Sequence, residues 1–340
     1  MQASDLERVS EWMRTHVPGF LGPVQATKFD VGQSNPTYRL EAPSGSYVLR
    51  RKPPGILLKS AHAVDREYRV QRALAHSDVP VPNMLALCQD DTILGTDFYI
   101  MEHVVGRNIV DPSMPDTSPE GRRAVMAEMN RVLAAIHSVD VDAVGLSNFG
   151  PPGHYFERQL GRWSKQYRAS ETENLSEMEQ LITWLADNMP ADDGQRTLVH
   201  GDYRIDNMLF SQEGAACLAV LDWELSTLGH PYADLAGVIM QWQLPPGGEG
   251  RGLAGLDRAS LGLPSDTAFV ADYCKRRNKS NIDNFGFYLA FSFFRMAAIL
   301  QGVKKRALDG NAANPEQGLR LGAFVPHFAK LGLKAKHWNG

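Results

Sequence analysis

The run His200-Gly201-Asp202-Tyr203-Arg204-Ile205-Asp206-Asn207 is followed, 15 positions after Asn207, by Leu221-Asp222-Trp223-Glu224. Transfer of a phosphoryl group needs an acceptor for the proton of the attacked hydroxyl, and oxygen ligands that hold magnesium against the nucleotide phosphates. A His-x-Asp-x4-Asn loop, and then an aspartate closing an apolar strand, supplies both in that order. On this reading Asp202 is the base, and Asn207 and Asp222 are the metal ligands. His200 takes a structural role, shaping the loop by hydrogen bonding. Asp206 is left open between a surface carboxylate and a residue that arranges the metal end of the loop. Asp and Asn are also common in turns for local reasons, but a second motif at the right distance makes chance spacing the weaker account.

HGDYRIDNMLF and VLDWELSTLGHPYADLA resemble the catalytic and metal-binding segments of the aminoglycoside phosphotransferase family, the choline and ethanolamine kinase-like branch of the protein-kinase-like superfamily. The resemblance extends over nearly the whole chain. More narrowly, LRRKPPG, SAHAVDREYRV and DWELSTLGHPYADLA are similar to the kinase-like domain that some larger proteins carry fused to acyl-CoA dehydrogenase domains; no dehydrogenase domain is expected to follow here. The resemblance implies an α+β, bilobal protein-kinase-like fold. Residues 1–103 would form a nucleotide-binding N-lobe with a five-stranded antiparallel sheet and one helix. Residues 104–340 would form a mostly helical C-lobe holding the catalytic loop, the metal site and the acceptor pocket. ATP and Mg²⁺ are the implied cofactors.

These residues need elements to position them. VQATKFDV, TYRLEA and SYVLRR are β-branched or aromatic runs separated by the turns VGQSNP and PSG, the pattern of an antiparallel meander. Helical spacing follows from Ser60 to His76 and must end before Val79-Pro80-Val81-Pro82. MLALCQ and DFYIMEHV are two further strands. Beyond Val105-Gly106-Arg107 the chain turns helical, beginning with GRRAVMAEMNRVLAAIHSV. Helices are expected at 154–169 and 175–188, then strands at TLVH, MLF and ACLAVLDW.

Side chains alternate faces along a strand, so Val48, Arg50 and Lys52 share one side. The kinase pattern puts a small apolar residue two before the phosphate-binding lysine, which selects Val48 under the base and Arg50 at the phosphates. An arginine thus stands where kinases have lysine, and its planar fork can still bridge two phosphate oxygens. Lys52 is the fallback and Arg51 the least favoured. Glu67, in the helix, is the expected partner of this cation, with a solvated glutamate as the alternative. The turn Gly32-Gln33-Ser34-Asn35-Pro36 lies where a loop would cover the phosphates, Gly32 and Ser34 contributing backbone N–H groups and a hydroxyl. Tyr99-Ile100-Met101-Glu102-His103 is the expected hinge, reading the purine through its backbone, with Met101 and His103 lining the base pocket.

The chain has 340 residues, of which 43% are hydrophobic and 22% charged, an ordinary globular composition long enough for two lobes. A net charge of −4 argues against nucleic acid or an anionic membrane surface as partner. A small-molecule hydroxyl acceptor remains, with the protein a monomer or homodimer. Cys88, Cys217 and Cys274 are too few and too scattered for a disulfide framework or a zinc site, which fits a reducing, cytoplasmic location. The start reads as an amphipathic helix without a signal peptide's apolar core. Phe285 to Leu300, interrupted by Arg295, falls short of the ~20 residues of a membrane span and reads as a buried helix. The glycine-rich 245–256 stretch lacks the ending of a Walker loop and reads as a surface loop, or as a lid.

The acceptor is less legible. No dense acidic cluster suits a polycationic sugar, which tilts the expectation from an aminoglycoside or an amino alcohol toward a hydroxyacyl compound. Arg295 needs a partner if buried: Asp234, Asp272 or an anionic group of the substrate. A nucleotide-binding pseudokinase module is the other class of reading, supported by Arg50 alone.

Overall fold

A computed structural model describes residues 1–29, 35–53, 63–247, 251–312 and 314–338. Gly32 and Ser34, and part of the 245–256 stretch, lie outside the described residues. The chain opens with helix α1 (Ala3–His16), strands β1 (Gln25–Lys28), β2 (Thr37–Ala42) and β3 (Gly45–Arg51), and helix α2 (Val64–Leu74). Strand β4 (Met84–Cys88), the single turn α3 (Asp91–Leu94), β5 (Phe98–Glu102) and β6 (Arg107–Asn108) follow. Helices α4 (Pro119–Ser138), α5 (Tyr155–Ser170) and α6 (Ser176–Asp187) lead to β7 (Thr197–Val199), β8 (Met208–Phe210), β9 (Cys217–Val220) and β10 (Thr227–Gly229). The remainder is helical: α7 (Tyr232–Trp242), α8 (Arg258–Leu261), α9 (Asp266–Arg276), α10 (Phe285–Leu308), α11 (Pro315–Gly322) and α12 (Val325–Ala335).

Two compact units result, neither a contiguous stretch of chain. The first takes Met1–Ile109, Val139–Ser147 and Ile205–Ser226; the second takes Val110–Ser138, Asn148–Arg204 and Thr227–Gly340.

In the first unit the five-stranded antiparallel sheet runs β1-β2-β3-β5-β4, as the meander and the two later strands implied. The period-2 alternation divides it cleanly. Leu40, Leu49, Phe98 and Ile100 point to one face, where they form a core with Val9, Met13 and Val17 of and after α1. Val48, Met84, Tyr99 and Met101 point to the other, packing with Val64 and Tyr68 of α2. The predicted helix from Ser60 is seen from Val64 and ends ahead of the Pro80 and Pro82 signals. The hairpin of β8 and β9 belongs to this unit, where Val220 N–H donates to Pro80 O at 2.8 Å.

The second unit is built on α10, which packs against α5, α6, α7, α11 and α12. Its length corrects the sequence expectation: the helix is 24 residues, because Gln301 to Leu308 continue it past the apolar run. By length and composition alone α10 is long enough to cross a membrane, but 72% of its most apolar window is buried inside the unit. It is a core helix. Strands β7 and β10 pair antiparallel in this unit, Val199 opposite Thr227, and β7 packs on α4.

Leu49 is fully buried between the sheet and α1. Leu49→Ala should lower the unfolding free energy by about 2–5 kcal/mol, read from denaturant unfolding. A loss within experimental error would mean that this face is not the packed core described.

Candidate functional site

Arg50 ends the apolar face of β3 and turns its guanidinium into a cluster of carboxylates. Its Nε lies 2.8 Å from Glu67 Oε2, and its Nη2 donates to Asp222 Oδ1 at 2.6 Å. Glu67 is 1% exposed on α2 and is held by two further donors, Asn35 Nδ2 at 2.7 Å and Tyr99 Oη at 3.1 Å. The two alternatives to Arg50 are engaged elsewhere: Lys52 Nζ lies 2.5 Å from Asp97, and Arg51 donates to Leu94 O and Thr96 Oγ1 on the opposite face. Three residues from distant parts of the sequence therefore meet in the first unit, and Arg50 is the cation that joins them.

The electrostatics follow from this burial. Burial alone would pull the Arg50 guanidinium down, but Glu67, Tyr99, Asp222 and Glu224 outweigh it and hold it above its ordinary value. Burial pushes the Glu67 carboxyl up to about 7, with Arg50 opposing part of the rise.

Asp222 follows β9, while Asn207 precedes β8 after a short 3-10 turn, so both stand at one end of the same antiparallel hairpin. Leu221 N–H donates to Asn207 O at 2.8 Å and ties the two ends together. Asp222 has φ +64 and ψ 55, a left-handed conformation that strains an L-residue and that buried surroundings must enforce. Trp223, fully buried, does so by donating Nε1–H to Val220 O at 2.9 Å. Asp222 and Asn207 offer hard oxygen donors, a pair that suits magnesium, which takes one or two protein ligands and completes its shell with water and phosphate oxygens. Among the described residues no group of three His, Cys, Asp or Glu gathers as a metal cage.

Val48 pairs with Met101 across β3 and β5, and both side chains lie on the face that carries Arg50. His103, just beyond β5, gives its Nδ1 to a hydrogen bond with Ser46 at 3.0 Å. Burial and nearby Arg39 lower its pKa.

Asp202 belongs to the second unit, on the loop after β7. Gly201 has φ +86, which only glycine adopts without strain, and this turns the chain sharply between His200 and Asp202. The loop is gripped from beneath by a residue the motif reading did not single out. Asp234, buried on α7, accepts His200 N–H at 2.6 Å through Oδ2 and Gly201 N–H at 2.8 Å through Oδ1. His137 Nε2 lies 3.3 Å from the same Oδ2, and its Nδ1 meets the Tyr273 hydroxyl at 2.7 Å. Burial would push Asp234 up, yet His137, His200 and the Gly201 N–H outweigh it and hold it below the usual carboxylate value. His200, fully buried, accepts Asp202 N–H on Nδ1 at 3.3 Å, which bears out the structural role read from the sequence. Asp202 itself is half-exposed, with Arg204 Nε 3.2 Å from its Oδ1. Arg295 pairs with neither Asp234 nor Asp272; its Nη2 donates to Gly201 O at 3.1 Å.

Residues 25–272 match the APH phosphotransferase enzyme family. The chain is 49% identical over 294 residues to mouse acyl-CoA dehydrogenase family member 10, covering 86% of this chain and 27% of that protein. The chain thus spans about a quarter of that relative. A Ralstonia eutropha crystal structure bearing the provisional name aminoglycoside phosphotransferase is 47% identical, covers 97% of each chain and superposes with a TM-score of 0.90. At 16% identity, aminoglycoside phosphotransferase APH(4)-Ia, in a ternary complex with ADP and hygromycin B, shares the protein-kinase-like fold, with a TM-score of 0.63 over 97% of this chain and 98% of that one.

Two measurements check the site. Folding gives Glu67 a firmer hold on its proton than the unfolded chain has, so its contribution to stability is complete below the ordinary value of 4.5 and fades as pH rises toward about 7. The thermal midpoint of the wild type should therefore fall relative to Glu67→Gln across that window; a constant offset between the two would contradict this account. Asp234→Asn leaves one loop amide without its acceptor and should cost about 1–3 kcal/mol. An unchanged unfolding midpoint would remove Asp234 from the role of clamp.

Proposed function

The chain belongs to the APH phosphotransferase enzyme family, and from that premise we propose that it moves the γ-phosphoryl group of ATP to a hydroxyl of a small molecule, with a hydroxyacyl compound as acceptor. The observation that carries the reading is the Arg50 contact with both Glu67 and Asp222. A cation oriented by a buried helix carboxylate, beside an aspartate in a strained conformation, is the arrangement that phosphoryl transfer requires for positioning phosphate oxygens.

Asp222 and Asn207 would hold magnesium, which when bound neutralises charge on the nucleotide phosphates. Arg50 bridges phosphate oxygens, and Glu67, Asn35 and Tyr99 fix its direction. Val48 and Met101 form the apolar surface for the base, with His103 at the edge of the same pocket. Asp202 orients the acceptor hydroxyl and takes its proton as the oxygen bonds to the γ-phosphorus, while the bond from that phosphorus to the bridging oxygen breaks to release ADP. The clamp of Asp234 and His137 keeps the Asp202 loop in place, so that little reorganisation is needed at the moment of transfer.

Support for a hydroxylated acyl acceptor comes from the mouse relative, whose name is that of an acyl-CoA dehydrogenase. Cys88, Cys217 and Cys274, buried thiols outside any disulfide, support a reducing, cytoplasmic setting.

Asp202→Ala should reduce ADP release in the presence of an accepted substrate by about 10²–10⁴-fold, while calorimetry still detects binding of the magnesium complex of a non-hydrolysable ATP analogue. Retained turnover would remove Asp202 from the mechanism. A wild-type protein that binds the analogue but transfers phosphate to none of a broad set of alcohols would instead be a nucleotide-binding module.

A further inference from the structure

Arg295 interrupts the apolar run of α10, half-buried, and no carboxylate among the described residues pairs with it. One guanidinium nitrogen is anchored on the carbonyl of Gly201, the residue before Asp202. Its guanidinium carbon lies 5.8 Å from the ring centroid of Trp163 on α5. The Arg162 guanidinium carbon lies 5.2 Å from the same ring, and Arg162 also lacks a carboxylate partner among the described residues. Trp163 is fixed in turn by its Nε1–H donating to Gln159 Oε1 at 3.1 Å. Two like charges thus share one rigid indole. The ring attracts both, and no carboxylate among the described residues pairs with either.

The surroundings add positive charge. Tyr155, at the start of α5, packs its ring against Gly229, where an added Cβ would sit 2.5 Å from the ring. Burial raises the pKa of its hydroxyl; Arg295 acts against that rise, Asp234 adds to it, and Arg158 and Arg162 again act against it. Arg158 is committed to the carbonyls of Pro151 and Pro152. Arg295 and Arg162 keep donors to spare, since a guanidinium carries five N–H groups in a planar fork suited to paired anionic oxygens.

We propose that Arg295 and Arg162, set on Trp163, form a specificity site for an anionic group of the acceptor, a carboxylate or a phosphate. The assignment rests on the reading that Asp202 receives the acceptor hydroxyl. Because Arg295 is anchored one residue away from Asp202, the anion and the reacting hydroxyl belong to one small molecule. A polycationic acceptor meets repulsion at the same place.

Calorimetric binding of three probes to the whole protein tests this: 3-hydroxybutyrate, which carries a carboxylate; 3-hydroxybutyryl-coenzyme A, which carries phosphates; and uncharged 1,3-butanediol. At least one anionic probe should bind more tightly than the diol, and which one identifies the anion. Arg295→Gln and the exposed, structurally safe Arg162→Gln should each weaken that probe by about tenfold or more, with Arg295→Lys intermediate and the diol unaffected. Anionic probes that bind no better than the diol, or that bind both glutamine variants as they bind the wild type, would overturn the proposal. Arginine-dependent binding without phosphoryl transfer by the wild type would uphold the anion site and remove the phosphotransferase reading. Transfer with affinities indifferent to both arginines would do the reverse.

Discussion

The first unit depends on one compensated burial. Arg50 and Glu67 are both withdrawn from water, a cost that their mutual contact and the Arg50 contact with Asp222 offset only while the guanidinium stays aligned between the two carboxyl groups. Alignment is supplied by neutral groups. Asn35 and Tyr99 saturate the Glu67 oxygens, and the α2 face of the sheet packs Val48, Tyr68 and Met101 around the pair. Removing Arg50 strands the buried Glu67 and frees Asp222, so strand β3, helix α2 and the segment after β9 are bound to one arrangement through that guanidinium.

The second unit solves a different problem with the same means. The loop that carries Asp202 has buried amides and no ladder to join. Asp234 accepts two of those amides from below, His137 Nε2 lies against its Oδ2, and the Tyr273 hydroxyl holds the other nitrogen of that ring. The buried charge is satisfied without a cation, through amide dipoles and a neutral imidazole.

Much of this was legible in the sequence because local rules and the motif order agreed. Alternation in Val48-Leu49-Arg50-Arg51-Lys52 put Arg50 and Lys52 on one face and Arg51 on the other, and the kinase pattern chose between the first two. Pro80 and Pro82 bounded α2, and the spacing of the apolar residues gave α4, α5 and α6 to within a residue or two. What stayed hidden were the contacts made across long separations by ordinary residue types. Asn35 read as turn material, yet its amide grips Glu67, 32 positions away. His137 closed an amphipathic helix like any polar terminal residue, and Asp234 was one more carboxylate in a family-like segment; only the fold brings them under His200. Arg295 was flagged by its apolar neighbours, but a backbone carbonyl as its partner has no sequence signature. The length of α10 was underestimated because amphipathic residues after Leu300 continue a helix that hydropathy alone ends.

The double amide grip of Asp234 also bears on how such a scaffold diversifies. Peptide groups held by one buried carboxylate cannot rotate freely, so the backbone at His200 and Gly201 keeps one geometry whatever side chains surround it. Side chains of α5 can be exchanged without disturbing that grip, whereas Arg295 of α10 holds the Gly201 carbonyl and is tied to the loop. The backbone of the loop and most of the side chains around it are in this way carried by separate pieces of the polypeptide, and each is free to change at its own pace.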